Sequence, residues 1–333
     1  TYKVYCDETI EGLKNTEKST IQGATVNCGV YQHVDKTLSP EAICSNAVMA
    51  AESISGKYGV YCAKYDESLR EKSLKAQFIT EHMEEALNEH QFIVYYQPKF
   101  SITDSKVNGA EALVRWIHPK EGFMNPGEFI SIFEHNGFIQ ELDRYMLNTV
   151  CGDIKDWVMA GNAAVPVSVN VSQANFDRVQ LADEFEAIVD SYGIDHSLIH
   201  FEITESVNSA DANKKNRTVS RFRERGFLVE LDDFGSGYSS LTTLCTMPVD
   251  VVKLDMGLIK MMFEKKHAAV LSGALFTAKE LSLKVVEEGV ETIEQLDELK
   301  RKGAQIDDMS VQGYYFSKPL PKDEFEAYLL NAD

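Results

Sequence analysis

The chain has 333 residues, 44% of them hydrophobic and 26% charged, and carries a net charge of -19. That length suffices for a large buried core and a second domain, and the composition is that of an ordinary soluble globular protein. The acidic balance argues against a nucleic-acid polymer or an anionic membrane surface as the main partner, because basic patches drive both; a small anionic ligand stays open, since a bound metal can reverse the sign of one pocket.

Residues 1–66 read as a small α+β segment. Residues 1–5 and 24–31 have strand character, and 58–65 is a further strand candidate. Between them Ser39 and Pro40 open a helix as N-cap and first helical residue, and it runs through Ala51 toward Gly56. Over residues 67–90 Leu69, Leu74, Phe78, Ile79, Met83 and Leu87 recur at helical spacing. This predicts an amphipathic connector helix joining two domains.

From residue 91 the pattern changes. Eight short apolar stretches follow, at 92–97, 109–116, 165–172, 200–205, 228–233, 251–255, 284–289 and 311–316. Most are separated by segments of helical periodicity, at 127–137, 141–160, 182–192, 213–226, 265–281 and 292–303. Alternating strand and helix over residues 91–333 fits an α/β fold, a TIM-like (β/α)8 barrel of roughly 250 residues. The connection between the first two strands, 101–108, is too short for a helix, so one strand is expected to run antiparallel.

Polar residues gather at the strand ends. Glu111 lies in the second strand, Asn170 in the third, Glu202 and Glu205 in the fourth. Asp232 and Asp233 close the fifth, Lys253 and Asp255 the sixth and Glu288 the seventh, while Gln312 begins the last. Side chains at the C-terminal rim of such a barrel converge on one mouth, the face that carries active sites. Oxygen donors meeting there suit Mg²⁺ or Mn²⁺. The histidines at 118, 135, 196, 200 and 267 show no ligand spacing and read as structural or surface residues. Singly, each rim residue has an ordinary reading: Lys253 and Glu202 could be a structural ion pair, Glu205 and Asp255 could order loops, and Gly235-Ser236-Gly237 could be a flexible turn. One polar cluster per strand at corresponding ends is what those readings leave unexplained.

The six scattered cysteines, with no CxxC pair, read as reduced and mostly buried thiols of a cytoplasmic protein. No apolar run reaches the ~18 residues of a membrane helix, so no membrane contact is expected in this fragment, and no signal peptide is seen. The chain opens at Thr1 rather than Met, so it is expected to be a fragment or a processed chain, with anything upstream out of view.

At these residues the chain resembles the EAL-domain cyclic di-GMP phosphodiesterases. The resemblance covers about residues 91–333: Glu111-Ala112-Leu113 with Arg115, Asn170-Val171-Ser172, Glu202-Ile203-Thr204-Glu205, Asp232-Asp233-Phe234-Gly235-Ser236-Gly237, Lys253-Leu254-Asp255, Glu288-Gly289-Val290-Glu291 and Gln312-Gly313-Tyr314. It implies metal-dependent hydrolysis of cyclic di-GMP to linear pGpG, ending a bacterial second-messenger signal. It also implies a pair of Mg²⁺ or Mn²⁺ ions, one held by Glu111, Asn170, Glu202 and Asp232, the other by Asp232, Asp233 and Glu288. Lys253 would position or deprotonate the attacking water, and Leu113, Arg115 and Gln312 would contact the dinucleotide. Glu205 and the loop 233–240 would couple the site to the interface of a homodimer. Two departures stand out: Glu287 beside Glu288, expected to add negative charge near the site, and Met256-Gly257 after the Lys-x-Asp motif.

Residues 1–66 resemble the C-terminal part of a GGDEF domain, carried by Val26-Asn27-Cys28-Gly29-Val30 and Tyr58-Gly59-Val60-Tyr61, but lack its cyclase signature. The rival readings are a non-catalytic cyclic di-GMP receptor of the same fold, usually short of a metal ligand, and a structural interaction module that uses the acidic surface.

Overall fold

The computed structural model describes residues 27–32, 34–57, 59–161, 164–204, 212–236, 241–303, 306 and 308–330. The expected strand at 1–5, Glu205, and residues 237–240 of the loop after Asp233 lie outside them. The chain divides into two compact units, Thr1–His82 and Met83–Asp333.

In the first unit β1 (Cys28–Val30) pairs in parallel with β2 (Cys62–Lys64). Helix α1 (Pro40–Glu52) begins where the sequence places it, with Ser39 accepting from the Ala42 amide at 3.3 Å and Pro40 in the first turn. Helix α2 (Glu67–Asn88) follows and carries the chain across the division between the units.

The second unit is a closed barrel of eight strands. In chain order these are β3 (Phe92–Ser101), β4 (Val107–His118), β6 (Val167–Asn170), β7 (Ile199–Thr204), β8 (Leu228–Phe234), β9 (Val251–Leu254), β10 (Lys284–Glu288) and β11 (Met309–Gln312). Short strands β5 (Gly122–Met124) and β12 (Leu320–Pro321) extend the edges at β4 and β3. Seven barrel strands are parallel, and β3 runs antiparallel to both β4 and β11. The expected short turn causes this: Ser105 donates to the Ser101 carbonyl and Ser101 to that of Lys106, reversing the chain within a few residues.

Helices α3 (Pro126–Asn136), α4 (Ile139–Met159), α5 (Leu181–Tyr192), α6 (Ala212–Glu224), α7 (Leu241–Thr246), α8 (Met256–Lys260), α9 (Lys265–Glu280), α10 (Ile293–Gly303) and α11 (Lys322–Leu330) complete the unit. Strand alternation sends one side of each strand to these helices and the other into the barrel. On β7, Phe201 faces outward, its ring 5.5 Å from Phe185 of α5 and 4.4 Å from Phe222 of α6, while Glu202 faces inward. Burying each such ring stabilises the fold by ~1.5–3 kcal/mol.

Two expectations are corrected. The last barrel strand is Met309–Gln312 rather than 311–316, so Gln312 ends it instead of beginning it. The cause is a close approach: Val290 donates to the Gln312 carbonyl, and a Cβ at Gly313 would lie 2.2 Å from the Val290 oxygen. The chain must turn there, and only glycine fits. The cysteines are also less buried than expected, for among the described ones only Cys151 is buried and Cys44 and Cys245 are exposed.

Candidate active site at the barrel mouth

The site is built on residues that alternate inward near the C-terminal ends of the parallel strands. Its centre is the Lys253 ammonium of β9, whose side chain is 1% exposed. Four carboxylates from four other strands surround it: Glu288 Oε1 at 2.8 Å, Glu202 Oε2 at 2.9 Å, Asp232 Oδ1 at 3.0 Å and Glu111 Oε2 at 3.4 Å. Burial alone would push the lysine down, but these four charges outweigh it and hold the ammonium well above the usual lysine value. A lysine so held stays protonated and donates.

Asp233 reaches the same volume through an irregular backbone. Adjacent strand residues normally face opposite sides, so Asp232 and Asp233 could not both look inward from a regular strand. The β8–β9 register shifts between Leu231 and Phe234, and Asp233 takes a left-handed φ of 57°. Aspartate tolerates that conformation better than most residues, and the bulge re-aims its side chain. Oxygens of Asp232, Asp233 and Glu288 consequently lie within 4.8 Å of one another. Burial, then the charges of Asp232 and Asp255, push Asp233 up. Burial together with Glu111 and Asp232 raises Glu288 to about 7 against the pull of Lys253.

This donor set fits a hard divalent cation. It consists of oxygens, and Asp232 Oδ1 is buried with no hydrogen bond beyond its ion pair to Lys253. Glu111 is held by Gln312 Nε2 at 2.8 Å and approached by Asn170 Nδ2 at 3.4 Å. Burial would raise its pKa, but Lys253, Lys99 and the Gln312 bond lower it.

A cleft of about 310 Å³ opens over this ring, and Glu111, Leu113, Asp232, Lys253, Glu288 and Gln312 line it with Gln97, Met256, Glu291 and the exposed Tyr314. Gln312 donates to Gln97 as well as to Glu111, which leaves its own Oε1 buried and without a partner. Leu113 also lines a neighbouring, largely apolar cavity of about 280 Å³ with Arg115 and Asn170. Arg115 lies over the Tyr95 ring, 5.4 Å from its centroid. In that second cavity the buried Asp143 accepts from the Ser172 amide at 2.8 Å and from Asn175 at 2.6 Å, which ties down the segment after Asn170; burial raises its carboxyl to about 7.

Asp255 turns out to cap α8, accepting from the Gly257 amide at 2.9 Å. Glu287 departs from the expectation that it adds charge to the site. It faces the helix layer, is 0% exposed, and neither carboxyl oxygen has a hydrogen-bond partner. Burial, then Glu288 and Asp255, push it well above the usual carboxylate range, so it is held neutral.

Sequence reasoning missed a lower tier of polar side chains. Lys99, Ser168, His200 and Glu230 face into the barrel beneath the ring, bonded to one another and to Glu202. For Ser168, His200 and Glu230 the only signal was the inward alternation of strands already placed, whereas Lys99 falls past the strand expected at 92–97, which in the structure runs on to Ser101.

The fold and this ring define an α/β-barrel protein with a carboxylate cluster suited to a hard cation at its mouth. More particularly, the chain belongs to the EAL domain family, whose model matches residues 80–319. It is 35% identical over 250 residues to the cyclic di-GMP phosphodiesterase NbdA of Pseudomonas aeruginosa, covering 75% of this chain and 31% of that protein. To the bifunctional diguanylate cyclase/cyclic di-GMP phosphodiesterase MucR of the same organism it is 29% identical over 305 residues, 91% of this chain and 44% of the other. The chain thus spans less than half the length of these curated relatives. Among solved structures it resembles the PaMucR phosphodiesterase in complex with c-di-GMP, with a TM-score of 0.68 and 31% identity over 74% of this chain and 99% of that one.

Proposed function

We propose that this chain hydrolyses cyclic di-GMP to linear pGpG, using the ring around Lys253 as a metal-dependent phosphodiesterase centre. The observation that carries the reading is the joint presence, in an EAL-family barrel, of four carboxylates on one ammonium and three carboxylate oxygens within 4.8 Å. Glu111, Asn170, Glu202 and Asp232 would hold one Mg²⁺ or Mn²⁺ ion, and Asp232, Asp233 and Glu288 a second. Bound there, such ions lower the pKa of water and neutralise charge on the scissile phosphate.

The chain's own residues do the rest. Lys253 lies among the ring carboxylates, where it would position or deprotonate the attacking water and face charge developing on the phosphoryl oxygens. Water adds to phosphorus and the 3′-oxygen leaves with a proton, so the phosphate stays on the 5′ side, as pGpG requires. Arg115 suits a phosphate because its guanidinium donates two parallel hydrogen bonds. The unpartnered Oε1 of Gln312 is an acceptor for guanine N–H groups, and Leu113 supplies apolar contact between the two cavities.

The same reading takes the chain to act as a homodimer in the cytoplasm, with Glu205 and residues 233–240 coupling site to interface. Among the described residues no helix is long and apolar enough to cross a membrane. It also takes residues 1–66 as the end of a GGDEF-like domain without cyclase chemistry, residues 67–90 as connector and residues 91–333 as the phosphodiesterase barrel. In support, the match to MucR extends over 305 residues, beyond the 80–319 of the EAL family. Hydrolysis in ¹⁸O-labelled water with Mn²⁺ tests the chemistry: label is expected in the terminal 5′-phosphate of pGpG. Intact cyclic di-GMP held tightly would make the protein a receptor instead.

A further inference from the structure

The lower tier has an order that mere filling of a barrel does not require. Glu202 is completely buried, and its two oxygens meet two different ammoniums: Oε2 lies 2.9 Å from Lys253 and Oε1 lies 3.1 Å from Lys99. Lys99 is in turn fixed from below by Glu230 Oε2 at 2.7 Å and by Ser168 Oγ at 2.5 Å. The second oxygen of Glu230 takes Ser168 Oγ and His200 Nδ1, each at 2.7 Å. Acidic and basic side chains therefore alternate from Glu230 through Lys99 and Glu202 to Lys253, and every carboxyl oxygen in the series has a partner.

The backbone makes room for this. Lys99 comes from β3, the antiparallel strand, opposite Gly109 of β4. A Cβ at 109 would press on the Pro166 carbonyl at 3.3 Å, while the Lys99 side chain packs over the glycine at ordinary contact distance, 3.7 Å from that position. A buried carboxylate anchored on one side only could rotate about its last bond; anchored on both, it presents one fixed oxygen upward.

We propose that Lys99, Glu230, Ser168 and His200 are positioning residues that lock Glu202 so that only Oε2 faces the mouth, for a divalent cation and its phosphate ester. The proposal rests on the phosphodiesterase reading, but its main test does not use turnover. Partners beneath metal ligands typically contribute ~10–100-fold in metal affinity or activity. Removing the pair as a unit, Lys99→Met with Glu230→Leu, leaves no uncompensated buried charge and frees Glu202 Oε1. Calorimetric titration of the full chain with Mn²⁺ should then show affinity weaker by about tenfold or more. Glu230→Gln keeps an acceptor for Lys99 and should stay within about threefold of wild type, because position rather than charge is at stake.

With cyclic di-GMP as substrate, kcat should fall in the double variant while KM changes little, since no substrate-contacting group is touched. Unchanged or tighter Mn²⁺ binding in the double variant would overturn the proposal, for Lys99 would then merely neutralise Glu202. If the double variant does not fold, Glu230→Ala decides: it leaves Lys99 paired with Glu202 but unbraced, and Mn²⁺ affinity equal to wild type would count against the proposal. A wild type that binds Mn²⁺ yet forms no pGpG would refute the phosphodiesterase reading while leaving the Mn²⁺ comparison intact.

Discussion

Glu287 offers the sharpest energetic test of the structure. Its carboxyl is 0% exposed, both oxygens lack hydrogen-bond partners, and it is held neutral against the apolar layer behind β10. A buried polar group without a partner costs ~1–3 kcal/mol. Glu287→Met, close in volume, removes that cost and adds apolar burial, so stability should rise by about 2 kcal/mol at neutral pH. For a unit of this size that corresponds to a midpoint roughly 4–8 °C higher. The gain should depend on pH in one direction. The folded-state pKa is raised, so above the ordinary value of 4.5 the unfolded chain gives up a proton that the folded chain keeps. Wild-type stability therefore falls as pH rises through 4.5, and the advantage of the methionine grows from pH 4 to 7. Asp143 and Glu288 titrate alike in both proteins and cancel in the difference. Thermal melts followed by circular dichroism at pH 4 and pH 7 measure it. A Glu287→Met protein that melts at or below wild type, or whose gain is the same at both values, would refute the burial argument.

Three other outcomes are expected from the ring. Glu111→Ala and Asp232→Ala should each abolish cyclic di-GMP turnover without lowering the melting midpoint, because Lys253 keeps three other carboxylates; near-wild-type turnover in either would show the ligand assignment to be wrong. Lys253→Met should cost ~10²–10⁴-fold in kcat and lower the melting midpoint in EDTA, since the carboxylates lose their common cation. Added Mn²⁺ should restore that midpoint, and a variant indifferent to Mn²⁺ would speak against metal binding at the ring. With Glu288 raised to about 7, Mn²⁺ must displace a proton at lower pH, so calorimetric affinity should fall by up to tenfold per unit below about pH 7. A flat profile between pH 5 and 7 would remove Glu288 from the ligand set.

The sequence carried much of this because a parallel barrel writes itself as alternating strand and helix, and because rim residues occupy equivalent places on successive strands. The single antiparallel strand followed from a connection too short for a helix. Less could be seen where backbone geometry decides. The Asp232-Asp233 pair calls for a turn that brings both carboxylates to one volume, since adjacent strand residues face opposite sides, but not for the left-handed residue inside the strand that supplies it. Gln312 was misplaced within its strand because Tyr314, Tyr315 and Phe316 look like strand residues, whereas the contact of Gly313 with Val290 ends the pairing. Glu287 shows the value of the two-residue period: next to Glu288 in sequence, it lies on the other face of the sheet. His200 and Glu230 were hidden for a related reason, since an inward polar residue in a barrel reads like an outward polar residue in a half-buried strand.

Metal-dependent cleavage separates an enzyme from a receptor at this barrel mouth. Cyclic di-GMP incubated with the protein in Mg²⁺ or Mn²⁺, in Ca²⁺ and in EDTA, with products separated by chromatography, measures it directly. The ring around Lys253 predicts pGpG with Mg²⁺ or Mn²⁺ and none in EDTA. Tight binding of cyclic di-GMP with no pGpG under any metal would contradict it.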